Sequence, residues 1–299
     1  MPWRKFFSSK IAKPITLNVL SYPLYQKAEQ TGQQIQTPYI LISMIGKTIL
    51  ELDRVDSTNG YANRLFSGEG LEEGTVIWAH EQYAGRGQQF HQWISEPGRN
   101  LTFTVVLKPG FLKPDQQFQL NKAVSLAVLD FIRNSLADSA TPISTQEISI
   151  KWPNDIYIGN EKVGGILIEH KIMGISIESS LAGIGININQ AQFSSELPNP
   201  VSLIQILGTE INLKSALANI CKRLDVRYKT LRTKGSGLLD RDYSGALLGF
   251  GQWRNFTCNG EILEGKVGGV DDLGRLLMEI RNGKVMCFNH GEVEYLLEK

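Results

Sequence analysis

Cysteine is scarce in this 299-residue chain, with Cys221, Cys258 and Cys287 the whole set. Their odd number, wide spacing and lack of any Cys-x-x-Cys exclude a disulfide framework and a thiolate zinc site, and point to a reducing, cytoplasmic setting. Net charge is scarce too. The 31 Lys and Arg against 30 Asp and Glu leave a formal +1, which argues against a dedicated duplex-DNA binder with a basic footprint. No apolar run reaches the length of about 18 residues that a membrane helix needs. His80, His91, His170 and His290 are scattered without ligand spacing, so no metal site is expected from them.

Several phosphate and catalytic motifs are missing as well. Gly46-Lys47-Thr48 ends like a Walker A loop, but the first glycine position holds Leu41. Gly85-Arg86-Gly87 opens like a dinucleotide fingerprint, but the third glycine position is Phe90. There is no Gly-x-Ser-x-Gly, no His-Glu-x-x-His and no EF-hand loop.

The small total charge conceals a split. Residues 1–28 carry Arg4, Lys5, Lys10, Lys13 and Lys27 and no acid, whereas from Met44 onward 26 basic residues face 29 acidic ones. Lys10, Lys13 and Pro14 interrupt any signal-peptide core. The acid-free, serine-containing head weakly resembles a transit peptide in composition alone; an unstructured extension, or a true start at Met44, accounts for it better. We treat 1–43 as a poorly ordered extension.

Folded patterning begins near Ile45. Hydrophobic residues make up 42% of the chain, enough for a sizeable core. Thr48, Leu50 and Leu52 start a strand that ends at Asp56-Ser57-Thr58-Asn59, a polar cluster that reads as the cap of a short helix. Thr75–Ala79 and Leu101–Leu107 read as buried strands. Asp115 is placed to cap a long helix running to Leu136. Strands follow at Ile148–Trp152, Asp155–Ile158, Val163–Glu169, Ile175–Glu178 and Leu181–Ile188, with a Gly159-Asn160 turn between the second and third. A second long helix spans Leu213–Leu231. Asn259-Gly260 and Asn282-Gly283 both carry a type I′ hairpin signal, and Gly268-Gly269, Asp271-Asp272 and Gly274 mark another turn. The pattern implies an α+β fold: a mainly antiparallel mixed sheet with helices packed beside it, then a small C-terminal barrel of about five strands.

Four segments call for more than a fold. Asp56–Asn59 is either a helix cap or a polar corner facing a small ligand. Glu81–Trp93 places Arg86 between Gly85 and Gly87, where the backbone can approach a ligand and the guanidinium offers a fork of donors to carboxylate or phosphate. Lys151-Trp152-Pro153-Asn154-Asp155 projects a cation and an acid from a strand end, with Pro153 biasing Trp152 to extended geometry. Lys162–Glu169 and Gly183–Asn189 put paired glycines into Ile/Leu strands, which weakens a strand unless another group must come close. Asn187 and Asn189 are expected on one strand face.

In this order the segments closely resemble the biotin protein ligase family, from about Ile45 to Lys299. Lys-Trp-Pro-Asn-Asp followed by Lys162-x-Gly164-Gly165-Ile-Leu-x-Glu169 is the most specific pair. The resemblance implies a class II synthetase-like catalytic domain over 44–247 and an SH3-like domain over 248–299. It implies ATP-dependent formation of biotinyl-5′-AMP, with Mg²⁺, and transfer to a lysine of a biotin carboxyl carrier domain. By match to the family's motifs, Ser57, Thr58, Asn59 and Gln82 would contact the biotin rings. Gly85, Arg86 and Gly87 would cover the carboxylate and phosphate. Lys162 would touch both, Gly164 and Gly165 would form the pocket floor, and Trp93, Asn154 and Asn187 would lie on the ATP side. Asp155, with Lys151, is the candidate for orienting or deprotonating the acceptor lysine.

The loop departs from the family pattern. Gln88, Gln89, Phe90 and His91 stand where further arginine and glycine often follow, which bears on loop electrostatics and adenylate retention. The stretch before Asp56 has no two-helix pattern, so neither a helix-turn-helix nor DNA or membrane binding is expected; a monomer and a homodimer both remain open. The alternatives are a lipoate or octanoate ligase relative and a non-catalytic biotin or nucleotide sensor. Lys-Trp-Pro-Asn-Asp and the Ser57-Thr58 corner favour biotin over the first. Arg86, Lys151, Asp155 and Lys162 together favour catalysis over the second.

Overall fold

The computed structural model describes residues 15–16, 44–68, 70–88, 92–137 and 147–297. Expectations on the rest of 1–43 and on Gln89, Phe90 and His91 lie outside the described residues. The elements run β1 (Ile15–Thr16), β2 (Thr48–Val55), α1 (Thr58–Gly68), β3 (Val76–Gln82), β4 (Leu101–Leu107), α2 (Gln117–Leu136), β5 (Ile148–Lys151), β6 (Asp155–Ile158), β7 (Glu161–Met173) and β8 (Ser176–Ile186). Then come α3 (Leu203–Leu207), α4 (Leu213–Lys234), α5 (Gly237–Gly245), β9 (Trp253–Cys258), β10 (Glu261–Val270), β11 (Leu276–Ile280), β12 (Val285–Phe288) and β13 (Val293–Tyr295).

The first sheet has the order β1-β2-β3-β4-β8-β7-β6-β5. Only β2 and β3 run parallel; the other neighbours are antiparallel. This is the expected mixed, mainly antiparallel sheet. Strand alternation sorts its side chains. Ile77, Val106 and Leu181 face Ala62 of α1. Val76, Trp78, Phe103 and Val105 face the larger core built with α2 and α4, including Leu120, Leu129, Leu217 and Leu224. β4 is buried along its whole length, which explains why its apolar run is nearly unbroken.

Four local expectations change. Asp115 does not cap α2; it sits in a short 3₁₀ turn, Pro114–Gln116, whose entry is held by the Lys113 N–H donating to Gln116 Oε1 at 3.1 Å. The two strands expected over Ile175–Ile188 are one, β8. Ser179 and Ser180 look like a break in the sequence, yet both are buried and Ser180 Oγ lies 2.8 Å from His170 Nδ1 across the β7 pairing. Asn282-Gly283 is not a type I′ pair: positive φ falls on Gly283 alone, whereas both Asn259 and Gly260 adopt it. Gly268-Gly269 lies inside β10 as a bulge, where the register against β11 shifts.

The second sheet is the expected five-stranded one, ordered β12-β11-β10-β9-β13. It is tied to the first. The indole N–H of Trp152 donates to the Gly274 carbonyl at 2.9 Å, and Leu248 N–H donates to the Ile150 carbonyl at 2.8 Å. α5 carried no sequence signal strong enough to be expected. It matters because Tyr243 O–H and Asn121 Nδ2 both donate to the Pro153 carbonyl, at 2.6 and 2.8 Å. Two helices thereby anchor the Lys151–Asp155 loop, in which the Trp152–Pro153 bond is cis.

Candidate active site

The ends of β3, β6, β7 and β8, the α1 entry and the β12–β13 loop enclose a cavity of about 550 Å³, a size suited to a small molecule. One end of it is neutral and closely bonded. Ser57, Thr58 and Asn59 are buried at the start of α1, and Thr104 of β4 is fully buried beneath them. Thr104 Oγ1 lies 2.8 Å from Thr58 Oγ1 and 2.6 Å from Asn59 Oδ1. Gln82 Oε1 accepts from Thr58 N–H at 2.7 Å and from its hydroxyl at 3.1 Å. Ser57 Oγ accepts from Gly60 N–H at 3.4 Å, which is the cap reading, and the same segment lines the cavity, where the polar-corner reading needs it. The turn is held from outside by Arg64, which grips Asp56 through two 2.8 Å bonds and draws its carboxyl down to about 2.

Asn59 carries the connection across the sheet. Its Nδ2 donates to Glu169 Oε2 at 2.8 Å and to the Leu167 carbonyl at 3.3 Å. It passes directly over Gly183, where a Cβ would lie 2.5 Å from Asn59 Oδ1. The same Glu169 oxygen accepts from Arg86 Nη2 at 2.9 Å. The glycine loop is thus tied to the neutral corner through one carboxylate.

The other end is charged. Lys162, returning after the Gly159-Asn160 turn, places Nζ 2.7 Å from Asp155 Oδ2. The register pairs Asp155 with Gly165 and Tyr157 with Lys162, with a bulge between Ile156 and Tyr157. Lys151 lies over the rings of Tyr157 and Tyr295, at 5.4 and 6.0 Å. Burial pulls its pKa down, with the Asp155 carboxylate opposing. Burial also pushes the Tyr157 phenol up to about 12. The Trp93 ring lies against Gly165 and Gly185, and a Cβ on Gly185 would run into it. That contact answers the question raised by the glycines in β7 and β8: a broad side chain must lie flat on the sheet. The buried Trp93 Nε1–H has no partner among the described residues.

Most of the sequence-predicted residues meet here. Ser57, Thr58, Asn59, Gln82, Arg86, Gly87, Trp93, Lys151, Asn154, Asp155, Lys162, Gly165 and Asn187 all line the cavity. Two do not. Gly164 points to the opposite face of β7, toward the Gly185 carbonyl and Ile186, because neighbouring strand residues alternate. Gly85 lies behind the wall, where a side chain would collide with the Trp93 carbonyl; it instead accepts the Trp93 N–H at 3.0 Å. Asn187 and Asn189 do not act together: Asn187 Nδ2 donates to the Val201 carbonyl at 3.0 Å, whereas Asn189 exchanges two bonds with the backbone of Ile211. β8 has ended by then, so strand alternation no longer applies. The Asn154 amide donates to the Ile166 carbonyl and braces β7.

Sequence reasoning missed Thr104, whose hydroxyl is indistinguishable in the sequence from any strand threonine. It also missed Tyr157 and the barrel residues His290, Glu294 and Tyr295, which line the same cavity from the second sheet. No local signal could place those last three, since they lie more than 120 residues after Lys162.

Known proteins share the sequence pattern and the fold. Residues 51–189 match the model of the Biotin/lipoate A/B protein ligase family. The chain is 33% identical over 245 residues to the bifunctional ligase/repressor BirA of Bacillus spizizenii, covering 80% of this chain and 72% of that protein. It is 26% identical over 226 residues to the biotin–[acetyl-CoA-carboxylase] ligase of Mycobacterium tuberculosis, covering 75% and 80%. The structure resembles that of the Aquifex aeolicus biotin protein ligase in complex with biotin and ATP, with a TM-score of 0.67 and 26% identity over 84% of this chain and 99% of that one. The chain belongs to the biotin protein ligase family.

Proposed function

We propose that this protein activates biotin with ATP, giving biotinyl-5′-AMP and pyrophosphate, and transfers the biotinyl group to a lysine of a biotin carboxyl carrier domain. The observation that carries this reading is the convergence of Lys162, Asp155, Lys151 and Arg86 on one cavity whose far end is neutral. The neutral corner suits a polar but uncharged ring system. Its oxygens and amides are held in place before a ligand arrives, which lowers the cost of binding.

The charged end suits two anions that must meet. The biotin carboxylate attacks the α-phosphorus, forming a C–O–P anhydride, and pyrophosphate leaves with its electron pair. Lys162 is placed to hold the carboxylate and the α-phosphate together as negative charge builds, and Asp155 orients its ammonium. Arg86 can exchange Glu169 for a phosphate oxygen at little cost, since its side chain is half exposed. Trp93 covers the glycine strands and keeps water from the anhydride.

We assign Mg²⁺ as the accompanying ion. Asp155 and Glu294 are the carboxylates lining the cavity among the described residues, and no cluster of three or more metal-ligating side chains occurs among them. That sparse set fits an ion held mainly by substrate phosphates and water. When bound, it supplies charge neutralisation on the triphosphate.

Incubation with biotin, MgATP and a purified carrier domain tests the reading: a biotinylated carrier is expected. Absence of carrier biotinylation, with lipoate but not biotin raising the melting temperature in the presence of ATP, overturns it in favour of a lipoate ligase.

A further inference from the structure

Among the described residues, the lysine and arginine side chains lining the cavity are Arg86, Lys151 and Lys162. Arg86 is closed onto Glu169 at 2.9 Å and Lys162 onto Asp155 at 2.7 Å. Lys151 is held differently. Its ammonium lies over the rings of Tyr157 and Tyr295, and among the described residues no hydrogen bond or ion pair reaches it. A half-buried ammonium without a carboxylate is costly to keep, and it is available to an anion.

The strand register shows which part of a ligand it faces. Thr102, Gly185, Gly165, Asp155 and Lys151 are successive Cα partners across β4, β8, β7, β6 and β5. Directly opposed residues share a sheet face. The contacts along the row agree: Trp93 lies against both glycines, and a Cβ on Gly165 would lie 3.3 Å from Asp155 Oδ1 and 3.4 Å from Lys162 Cε. The neutral corner stands over β4 and β8, where Asn59 bonds Thr104 and passes over Gly183. Lys162 meets Asp155 over β7 and β6. Lys151 belongs to β5, about 14 Å across the sheet from β8 at the usual strand spacing. The neutral corner, Lys162 and Lys151 therefore follow one another in a single direction across the sheet.

We propose that Lys151 holds the β- and γ-phosphates of ATP, and pyrophosphate as it leaves. This inference rests on the reading of the protein as a biotin ligase. In adenylate formation a carboxylate oxygen bonds to the α-phosphorus. The bridging P–O bond to the β-phosphate breaks, and pyrophosphate departs with the electron pair; no proton moves. The attacking and leaving oxygens lie roughly in line. With the rings at the neutral corner and the α-phosphorus at Lys162, attack comes from the β8 side. The leaving group then emerges on the β5 side, where Lys151 stands. The two tyrosine rings fix the ammonium in place without neutralising it. This role differs from the acceptor-lysine role expected from the sequence, because one ammonium repels another.

The test uses full-length Lys151→Met, which removes the charge and keeps an unbranched stem, and Lys151→Arg, which restores the charge. The reaction is run backward, forming ATP from enzyme-bound biotinyl-5′-AMP and magnesium pyrophosphate. Pyrophosphate affinity should fall about 30-fold in Lys151→Met, the scale of losing hydrogen bonds to a charged group. Lys151→Arg should recover most of that loss. Biotin affinity, and single-turnover transfer from preformed adenylate to a carrier domain, should change by less than about threefold in Lys151→Met. Wild type gives an independent measurement that does not depend on either variant folding. Pyrophosphate, but not AMP, should protect Lys151 from reductive methylation read by mass spectrometry. Unchanged pyrophosphate affinity in Lys151→Met, a transfer defect as large as the pyrophosphate defect, or equal protection by AMP and pyrophosphate would overturn the proposal. If wild type makes no biotinyl-5′-AMP from biotin and MgATP, the functional reading itself fails. If it makes the adenylate while Lys151 is indifferent to pyrophosphate, the subsite alone is wrong.

Discussion

The two ends of the cavity are built on opposite principles. At the neutral end, Ser57, Thr58, Asn59 and Thr104 are each less than a tenth exposed, and their hydrogen bonds interlock. At the charged end, the Arg86–Glu169 and Lys162–Asp155 pairs leave a quarter to a half of each side chain exposed. Buried neutral bonds are costly to break and so give shape. Exposed ion pairs are weak and exchangeable, so their cations can be handed to arriving anions. The proposed function assigns ring recognition to the first end and carboxylate chemistry to the second. Glu169 joins the two ends by accepting from Asn59 and Arg86 at one oxygen.

The sharpest break in this comparison is Lys162→Ala. It should lower pyrophosphate release by about 100-fold, the scale of losing one preorganised donor to developing charge, while biotin affinity at the neutral end changes less. Arg86→Ala should cost at least about tenfold in adenylate formation, or roughly 1.4 kcal/mol in the transition state. A wild-type rate of pyrophosphate release from either variant would remove that residue from the chemistry.

Thr104→Val probes the opposite end. It leaves Thr58 and Asn59 short of a buried partner, and about 1–3 kcal/mol is expected for such a loss. Calorimetry should show weaker biotin binding, with the turnover of bound adenylate little changed. The smallest effect belongs to the outer clasp. Asp56 is held down to about 2 by Arg64, so its share of stability is full above the ordinary carboxyl pKa and disappears as pH falls through about 2. Because the pair is largely exposed, Asp56→Asn should lower stability by less than about 1 kcal/mol at neutral pH. A melting-temperature series in pH and salt checks this, and the difference between the two proteins should shrink at high salt and at low pH.

The legibility of the site in the sequence followed the same division. Arg86, Lys151, Asp155 and Lys162 announced themselves because charged residues between glycines or at strand ends are poor packing material. The glycines announced themselves too, but not what they face. Gly165 and Gly164 look alike in sequence, and only the pleat direction separates the one beneath Trp93 from the one facing the core. Thr104 was invisible because a threonine in a buried strand is ordinary. α5 was hidden because glycine stands at both its ends and its value lies in Tyr243 reaching Pro153.

The sequence by itself determined the class of chemistry, the mixed sheet with its helices, and the small barrel, since periodicity, turn residues and an ordered set of motifs are local properties of the chain. Only the tertiary structure decided how the cavity is finished. Its floor depends on strand register, its rigidity on bonds such as Thr104 to Asn59 across 45 residues, and its outer wall on His290, Glu294 and Tyr295 from the second sheet. These are contacts between residues far apart in the chain, and no local pattern encodes which of them will meet.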